Sequence, residues 1–217
     1  MRINPSILSA DFSNLAVELQ RISNADAAHI DVMDNHFVPN LTIGLPVVKR
    51  LQEVSPIPLD VHLMIDRADT EALKYADLGV DSITFHLEAS SDPKSLITNL
   101  RQRGVKAALA IKPKTPVESV FEYLDELDMV LIMTVEPGFG GQSLIQATLD
   151  KIPVLRSAID ACGRNVILQV DGGVTLSNIG MISRFGADCA VAGSAVYGSG
   201  SAADNISALK LAAANGG

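Results

Sequence analysis

Tryptophan is absent from this 217-residue chain, aromatic residues make up 4% of it, and only two cysteines occur, Cys162 and Cys189. The two thiols stand in no metal-ligand spacing, so they are expected to be buried or otherwise unremarkable residues. No run of eighteen apolar residues is present, which excludes a membrane-spanning helix. The opening segment, Met1-Arg2-Ile3-Asn4-Pro5, passes straight into an apolar strand without the apolar core of a signal peptide, so a cytoplasmic location is expected. Basic runs are also missing. With 17 Lys and Arg against 25 Asp and Glu, the net charge is −8, which makes nucleic acid and anionic membrane surfaces poor partners.

What is present is apolar and regularly spaced. A hydrophobic fraction of 47% over this length supports one substantial core, so residues 1–217 are expected to form a single domain. Short apolar runs over 3–9, 28–33, 59–64, 82–85, 106–111, 129–135, 166–170 and 189–192 predict eight strands. Between them, helical spacing appears at Leu15, Leu19 and Ile22, over 46–54, 69–78 and 93–103, at Val117, Val120, Phe121 and Leu124, and over 177–185 and 203–214. Strands too apolar to face water, alternating with helices, imply a parallel sheet covered by helices. Eight such units in one domain favour a closed (β/α)8 TIM barrel over an open doubly wound sheet.

Three strands carry residues that a core does not need. In His29-Ile30-Asp31-Val32-Met33-Asp34, alternation places His29, Asp31 and Met33 on one face. His62 and Met64 share a face of Leu59-Asp60-Val61-His62-Leu63-Met64, and the run 166–170 ends on Asp171 followed by Gly172-Gly173. Any one of these has a bland explanation, a hydrogen-bonded core histidine or a turn aspartate. Ionisable groups are costly to bury unless paired or bound to metal, so four of them near the C-terminal ends of apolar strands point to one shared metal or catalytic site.

The connections agree. The two longest follow the second and sixth strands, at the end where a barrel builds its site, and hold Phe37-Val38-Pro39-Asn40 and Pro137-Gly138-Phe139-Gly140-Gly141-Gln142. Glycines cluster after strands six (Gly138, Gly140, Gly141), seven (Gly172, Gly173) and eight (Gly193, before Ser194). Glycine lets backbone amides approach an anion closely, and barrels commonly bind phosphate after strands seven and eight. These three loops contain no Lys or Arg, so a phosphate would be held by amide dipoles.

The motifs Pro5-Ser6-Ile7-Leu8-Ser9-Ala10-Asp11-Phe12, His29 through Asp34, His36-Phe37-Val38-Pro39-Asn40, Asp60 through Met64, Met133 through Gln142 and Val170-Asp171-Gly172-Gly173 together resemble the ribulose-phosphate 3-epimerase family, in order from Asn4 to about Tyr197. The resemblance implies a (β/α)8 barrel that interconverts D-ribulose 5-phosphate and D-xylulose 5-phosphate with one divalent metal per subunit. It makes His29, Asp31, His62 and Asp171 the metal ligands, and Asp31 and Asp171 the acid–base pair that moves the C3 proton through a metal-stabilised enediolate. Ser6, His62 and Asp171 would touch substrate, and Gly138, Phe139, Gly140, Gly141, Gly172, Gly173, Gly193 and Ser194 would surround it and its phosphate. Met33, Met64 and Met133 would line the reacting carbon, or simply fill the barrel. Two imidazoles and two carboxylates suit zinc, iron(II), manganese or cobalt better than calcium. Self-association into a homo-oligomer is also implied.

The chain departs from the family pattern at Asn35, where glycine is usual, at Leu144, where an aromatic is usual, and at Pro153, which falls inside an expected helix. Asn tolerates a left-handed turn, so the Asn35 turn is expected to survive. Alternatives are an epimerase of a related ketohexose 6-phosphate such as D-allulose 6-phosphate, and a non-catalytic sugar-phosphate-binding barrel. A Schiff-base lyase would need a strand-end lysine, for which Lys112 beside Pro113 is the nearest candidate.

Overall fold

Eight parallel strands follow one another in the computed structural model, which describes residues 1–216. They are β1 (Arg2–Pro5), β2 (Ala28–Met33), β3 (Leu59–Met64), β4 (Ser82–His86), β5 (Lys106–Ile111), β6 (Met129–Met133), β7 (Ile167–Asp171) and β8 (Cys189–Ala192). From β2 to β8 each pairs in parallel with the next in sequence, and β1 pairs in parallel with β8. Between β1 and β2 the ladder thins to one parallel bridge, Ser6 to His29, and to the Asp26 amide donating to Ile3 O at 3.2 Å. The result is the (β/α)8 TIM barrel that the alternation predicts, with its seam beside the residues of the expected site.

The strands are buried on both faces, as a sheet inside a ring of helices must be. Ile30 and Val32 on β2, and Val61 and Leu63 on β3, point outward and join the large apolar layer under the helices. The helices are α1 (Leu15–Arg21), α2 (Leu45–Val54), α3 (Ala68–Ala76), α4 (Pro93–Gln102), α5 (Lys151–Cys162), α6 (Ile179–Arg184), α7 (Ser194–Tyr197) and α8 (Ala202–Asn215). At the N-terminal end of the barrel, aspartates just before strands cap amides of the preceding ones. Asp26 Oδ2 accepts from Ile3 N at 3.0 Å, Asp128 Oδ2 from Ala107 N at 3.0 Å and Asp188 Oδ2 from Leu168 N at 2.9 Å.

Some elements differ from expectation. The first strand ends at Pro5, because the Ser6 hydroxyl accepts from Leu8 N and turns 7–9 into a 3₁₀ helix. The sixth ends at Met133: Thr134 N makes the last ladder bond, to Asp171 O, and the Thr134 hydroxyl turns onto Asp171 O and Gly172 O. Val117–Tyr123 is a 3₁₀ helix rather than an α-helix: Val117 and Val120 are three residues apart, and a three-residue turn stacks both toward the core. After β8 the chain makes a short extra helix, α7, before α8. Pro153 falls inside α5, as expected. It lies in the first turn, where its missing N–H has no partner to lose. Asn35 is the one non-glycine residue with positive φ among those described, at 59°, so it does adopt the left-handed turn.

Candidate metal centre

Alternation along β2 and β3 turns His29, Asp31 and His62 inward, and register sets Asp31 beside His62. Asp171 arrives from the end of β7. One ligand atom from each of these four residues lies within 4.8 Å of every other. His29 Nε2 and His62 Nδ1 are 3.3 Å apart; Asp31 Oδ1 is 3.5 and 3.4 Å from them, and Asp171 Oδ2 is 3.8 and 3.6 Å. Both imidazoles are fully buried. Burial alone would discharge them, but the Asp31 and Asp60 carboxylates outweigh it at His29, and those of Asp171 and Asp31 do so at His62, holding both above the usual histidine range. Burial likewise opposes ionised Asp31, and the two imidazoles reverse this and hold its carboxyl far below the usual range. Two imidazoles, each of which would give up a proton to a bound cation, and two carboxylates converging on one point match the donors of a first-row divalent ion, so the residues present fit such an ion.

The cluster forms the floor of a pocket of about 400 Å³ at the C-terminal end of the strands. Ser6, Asp31 and Asp171 line it, as do Met33, Met64 and Met133, the loop residues Gly138, Phe139, Gly140 and Gly141, then Gly172 and Gly173, then Gly193 and Ser194. Each residue expected to contact substrate is therefore on the pocket wall except His62, which lies beneath it with no exposed surface. No lysine or arginine is among the lining residues. Ser6 Oγ donates to Asp31 Oδ2 at 2.5 Å, leaving Oδ1 turned to the imidazoles. Thr134 Oγ1 holds Asp171 O and Gly172 O at 2.9 and 2.6 Å. A Cβ on Gly172 would collide with the Val135 side chain, and one on Gly173 with the Leu144 backbone; their φ values are 120° and 66°. The two long loops found in the sequence meet here, with Asn40 Nδ2 donating to Gly138 O at 2.7 Å.

Three residues that support the ligands were not singled out from the sequence. Asp60 accepts from His29 Nδ1 at 2.9 Å, Asn4 Nδ2 at 3.0 Å, Gln169 Nε2 at 2.8 Å and Ser82 Oγ at 2.8 Å. Its place two residues before His62 puts it on the same inward face, a signal that alternation does contain. His86, ending β4, brings Nε2 to 2.9 Å from His62 Nε2, and its Nδ1 lies 3.3 Å from Glu88 Oε2. Burial pushes His86 down to about 4. Burial works against ionised Glu88, but bonds from His86, Thr115 and the Lys112 amide bring it down to about 2.

Fold and site together define a class: a (β/α)8 barrel with a candidate two-His, two-Asp metal centre beneath a glycine-walled pocket. Within that class the sequence model of the Ribulose-phosphate 3 epimerase family matches residues 2–197, and the chain belongs to that family. Ribulose-phosphate 3-epimerase of Mycobacterium tuberculosis (strain ATCC 25618 / H37Rv) is 47% identical over 208 residues, covering 96% of this chain and 91% of the relative. That of Escherichia coli (strain K12) is 46% identical over 198 residues, covering 90% and 88%. Among solved structures, 3-hexulose-6-phosphate synthase from Salmonella typhimurium shares the fold with a TM-score of 0.70 at 17% identity over 100% of both chains. KGPDC from Streptococcus mutans does so with a TM-score of 0.72 at 14% identity, over 99% of this chain and 97% of that one. At these identities the structural likeness is one of fold.

Proposed function

We propose that the chain, as one catalytic barrel over 1–217, is a metal-dependent epimerase that interconverts D-ribulose 5-phosphate and D-xylulose 5-phosphate by inversion at C3. The observation that carries the reading is that Asp31 and Asp171 come from different strands and both line the pocket while facing the same two imidazoles. Inverting a carbon beside a ketone requires removing its proton and returning one to the opposite face, which one base cannot easily do. One carboxylate takes the C3 proton, the electron pair moves toward the C2 carbonyl oxygen, and the other carboxyl delivers a proton from the far side. General acid–base catalysis of this kind contributes roughly 10²–10⁴-fold. A divalent cation held by His29, Asp31, His62 and Asp171 (zinc, iron(II), manganese or cobalt by donor type) would supply several kcal/mol of Lewis-acid stabilisation to developing oxygen charge.

Ser6 fixes Asp31, and the amides around Gly138, Phe139, Gly140, Gly141, Gly172, Gly173, Gly193 and Ser194 hold the phosphate. His62 acts from beneath the pocket floor as a ligand rather than as a wall. An anionic sugar phosphate does not cross a bilayer, which supports a cytoplasmic location, and no helix among the described residues is long and apolar enough to cross a membrane. Self-association rests on likeness to the family. A ketohexose 6-phosphate would need the same catalytic groups and more room, and competition by kcat/KM separates the two substrates.

The test is NMR of D-ribulose 5-phosphate in heavy water with metal-loaded wild type, Asp31→Asn and Asp171→Asn. Wild type is expected to form xylulose 5-phosphate carrying deuterium at C3, and each variant to lose turnover about 10²–10⁴-fold. Binding of the sugar phosphate with C3 left unexchanged would replace this reading with that of a binding protein.

A further inference from the structure

His62 presents Nδ1 to the cluster, 3.4 Å from Asp31 Oδ1 and 3.6 Å from Asp171 Oδ2. A nitrogen that ligates a cation must be bare, so the single proton of a neutral His62 ring belongs on Nε2. That nitrogen faces His86 Nε2 at 2.9 Å. Between two imidazole nitrogens at this distance there is room for one proton: two would clash, and none would set lone pair against lone pair. His86 Nε2 is therefore the acceptor, and the His86 proton lies on Nδ1, 3.3 Å from Glu88 Oε2. Glu88 is fixed in turn, because its Oε1 accepts from Lys112 N at 2.8 Å and from the Thr115 hydroxyl. The Phe37 ring covers His86 with centroids 4.8 Å apart, and neither His86 nor His62 has exposed surface, so water does not compete for the bond between the two rings.

We propose that His86 and Glu88 are a positioning pair that holds His62 in the one tautomer able to bind a metal ion. The inference rests on the metal-dependent reading above. Every hydrogen bond then runs in one direction, from His62 Nε2–H to His86 and from His86 Nδ1–H to the Glu88 carboxylate. A carboxylate backs each imidazole of the centre, directly at His29 through Asp60 and relayed through a second ring at His62.

The experiment measures zinc affinity, by competition with a chromogenic chelator, for wild type, His86→Leu, His86→Gln and Glu88→Ala, together with melting temperatures of the metal-free proteins. Long-range ¹H–¹⁵N spectra of the histidine rings are recorded on zinc-loaded wild type. His86→Leu is expected to weaken zinc binding about 10–100-fold. His86→Gln, whose amide oxygen can accept from His62 Nε2, should recover most of that loss, which a merely space-filling role would not give. The spectra should place the proton on Nε2 of His62 and on Nδ1 of His86. A His86 ring protonated on Nε2, or zinc binding by His86→Leu equal to wild type, would overturn the proposal. If His86→Leu does not fold, Glu88→Ala carries the test from a partly exposed position, with a smaller loss expected and unchanged affinity counting against the relay. A wild type that binds no zinc or other divalent ion would instead overturn the metal-dependent reading, and this proposal with it.

Discussion

His29 and Asp60 are register partners on β2 and β3, and Asp60 Oδ2 lies 2.9 Å from His29 Nδ1. With Nδ1 donating to Asp60, Nε2 is the nitrogen that His29 would offer to a cation, and it faces Asp31 and Asp171. Asp60 takes three further donors, from Asn4, Ser82 and Gln169, and only an acceptor-only carboxylate can serve all four. Burial opposes its charge, but His29 leads the groups that hold its carboxyl well below the usual range.

Asp60→Asn sets an amide NH2 against these donors. Metal affinity by calorimetric titration should fall about 10–100-fold. Stability by thermal or urea unfolding should fall by about 1–3 kcal/mol for the buried groups left unpaired. Unchanged affinity would mean that something other than Asp60 orients His29.

Ser6→Ala removes the hydroxyl that donates to Asp31 Oδ2. Hydrogen bonds to charged groups contribute roughly 1.5–3 kcal/mol, so kcat/KM should fall about 10–100-fold in steady-state assays while the protein remains folded. The loss should lie in kcat if the bond positions the carboxylate for proton transfer, and in KM if Ser6 serves mainly as a substrate contact.

Gly172 and Gly104 both have positive φ, at 120° and 76°, but a Cβ at Gly172 meets Val135 whereas one at Gly104 meets open space. Gly104→Ala should cost about 1–2 kcal/mol in stability with kinetics unchanged. Gly172→Ala should cost more, because Val135 must also move, and should raise KM by deforming the pocket wall. Equal effects of the two on KM would remove the 172–173 loop from the phosphate site.

Stability should carry an acid-sensitive increment from the seam of the barrel. Burial alone would raise the Asp26 carboxyl, but the Ile3 amide and the Lys210 ammonium, 2.9 Å away, outweigh it and hold it below the usual value. A lowered folded-state value means that the stabilisation is full above the unfolded value of about 4 and disappears as pH falls through the folded one. The melting-temperature gap between wild type and Asp26→Asn should be constant from about pH 7 to 5 and close below about pH 4. A gap that widens toward acid would reverse the sign of this linkage.

Residue pattern alone reaches the alternating parallel architecture and the four residues that converge, His29, Asp31, His62 and Asp171. Alternation along 28–33 and 59–64 states which side chains face inward, the apolar character of every strand implies a parallel sheet covered on both faces, and eight such units in one domain favour its closing into a barrel. Glycine before or at each late turn marks where backbone must come close or turn left-handed, and Asn35 at φ 59° shows how far that reasoning carries. Periodicity, however, assigns a side chain to a face and not to a neighbour on another strand. That Ser6 meets Asp31 across the seam, that His62 lies below the pocket rather than on its wall, and that His86 and Glu88 stand behind His62 depend on strand register and on residues 24–26 positions apart in the chain. Only the tertiary structure decides these contacts, because a hydrogen bond of 2.9 Å is set by barrel closure in three dimensions, whereas a sequence records only the order along one strand at a time.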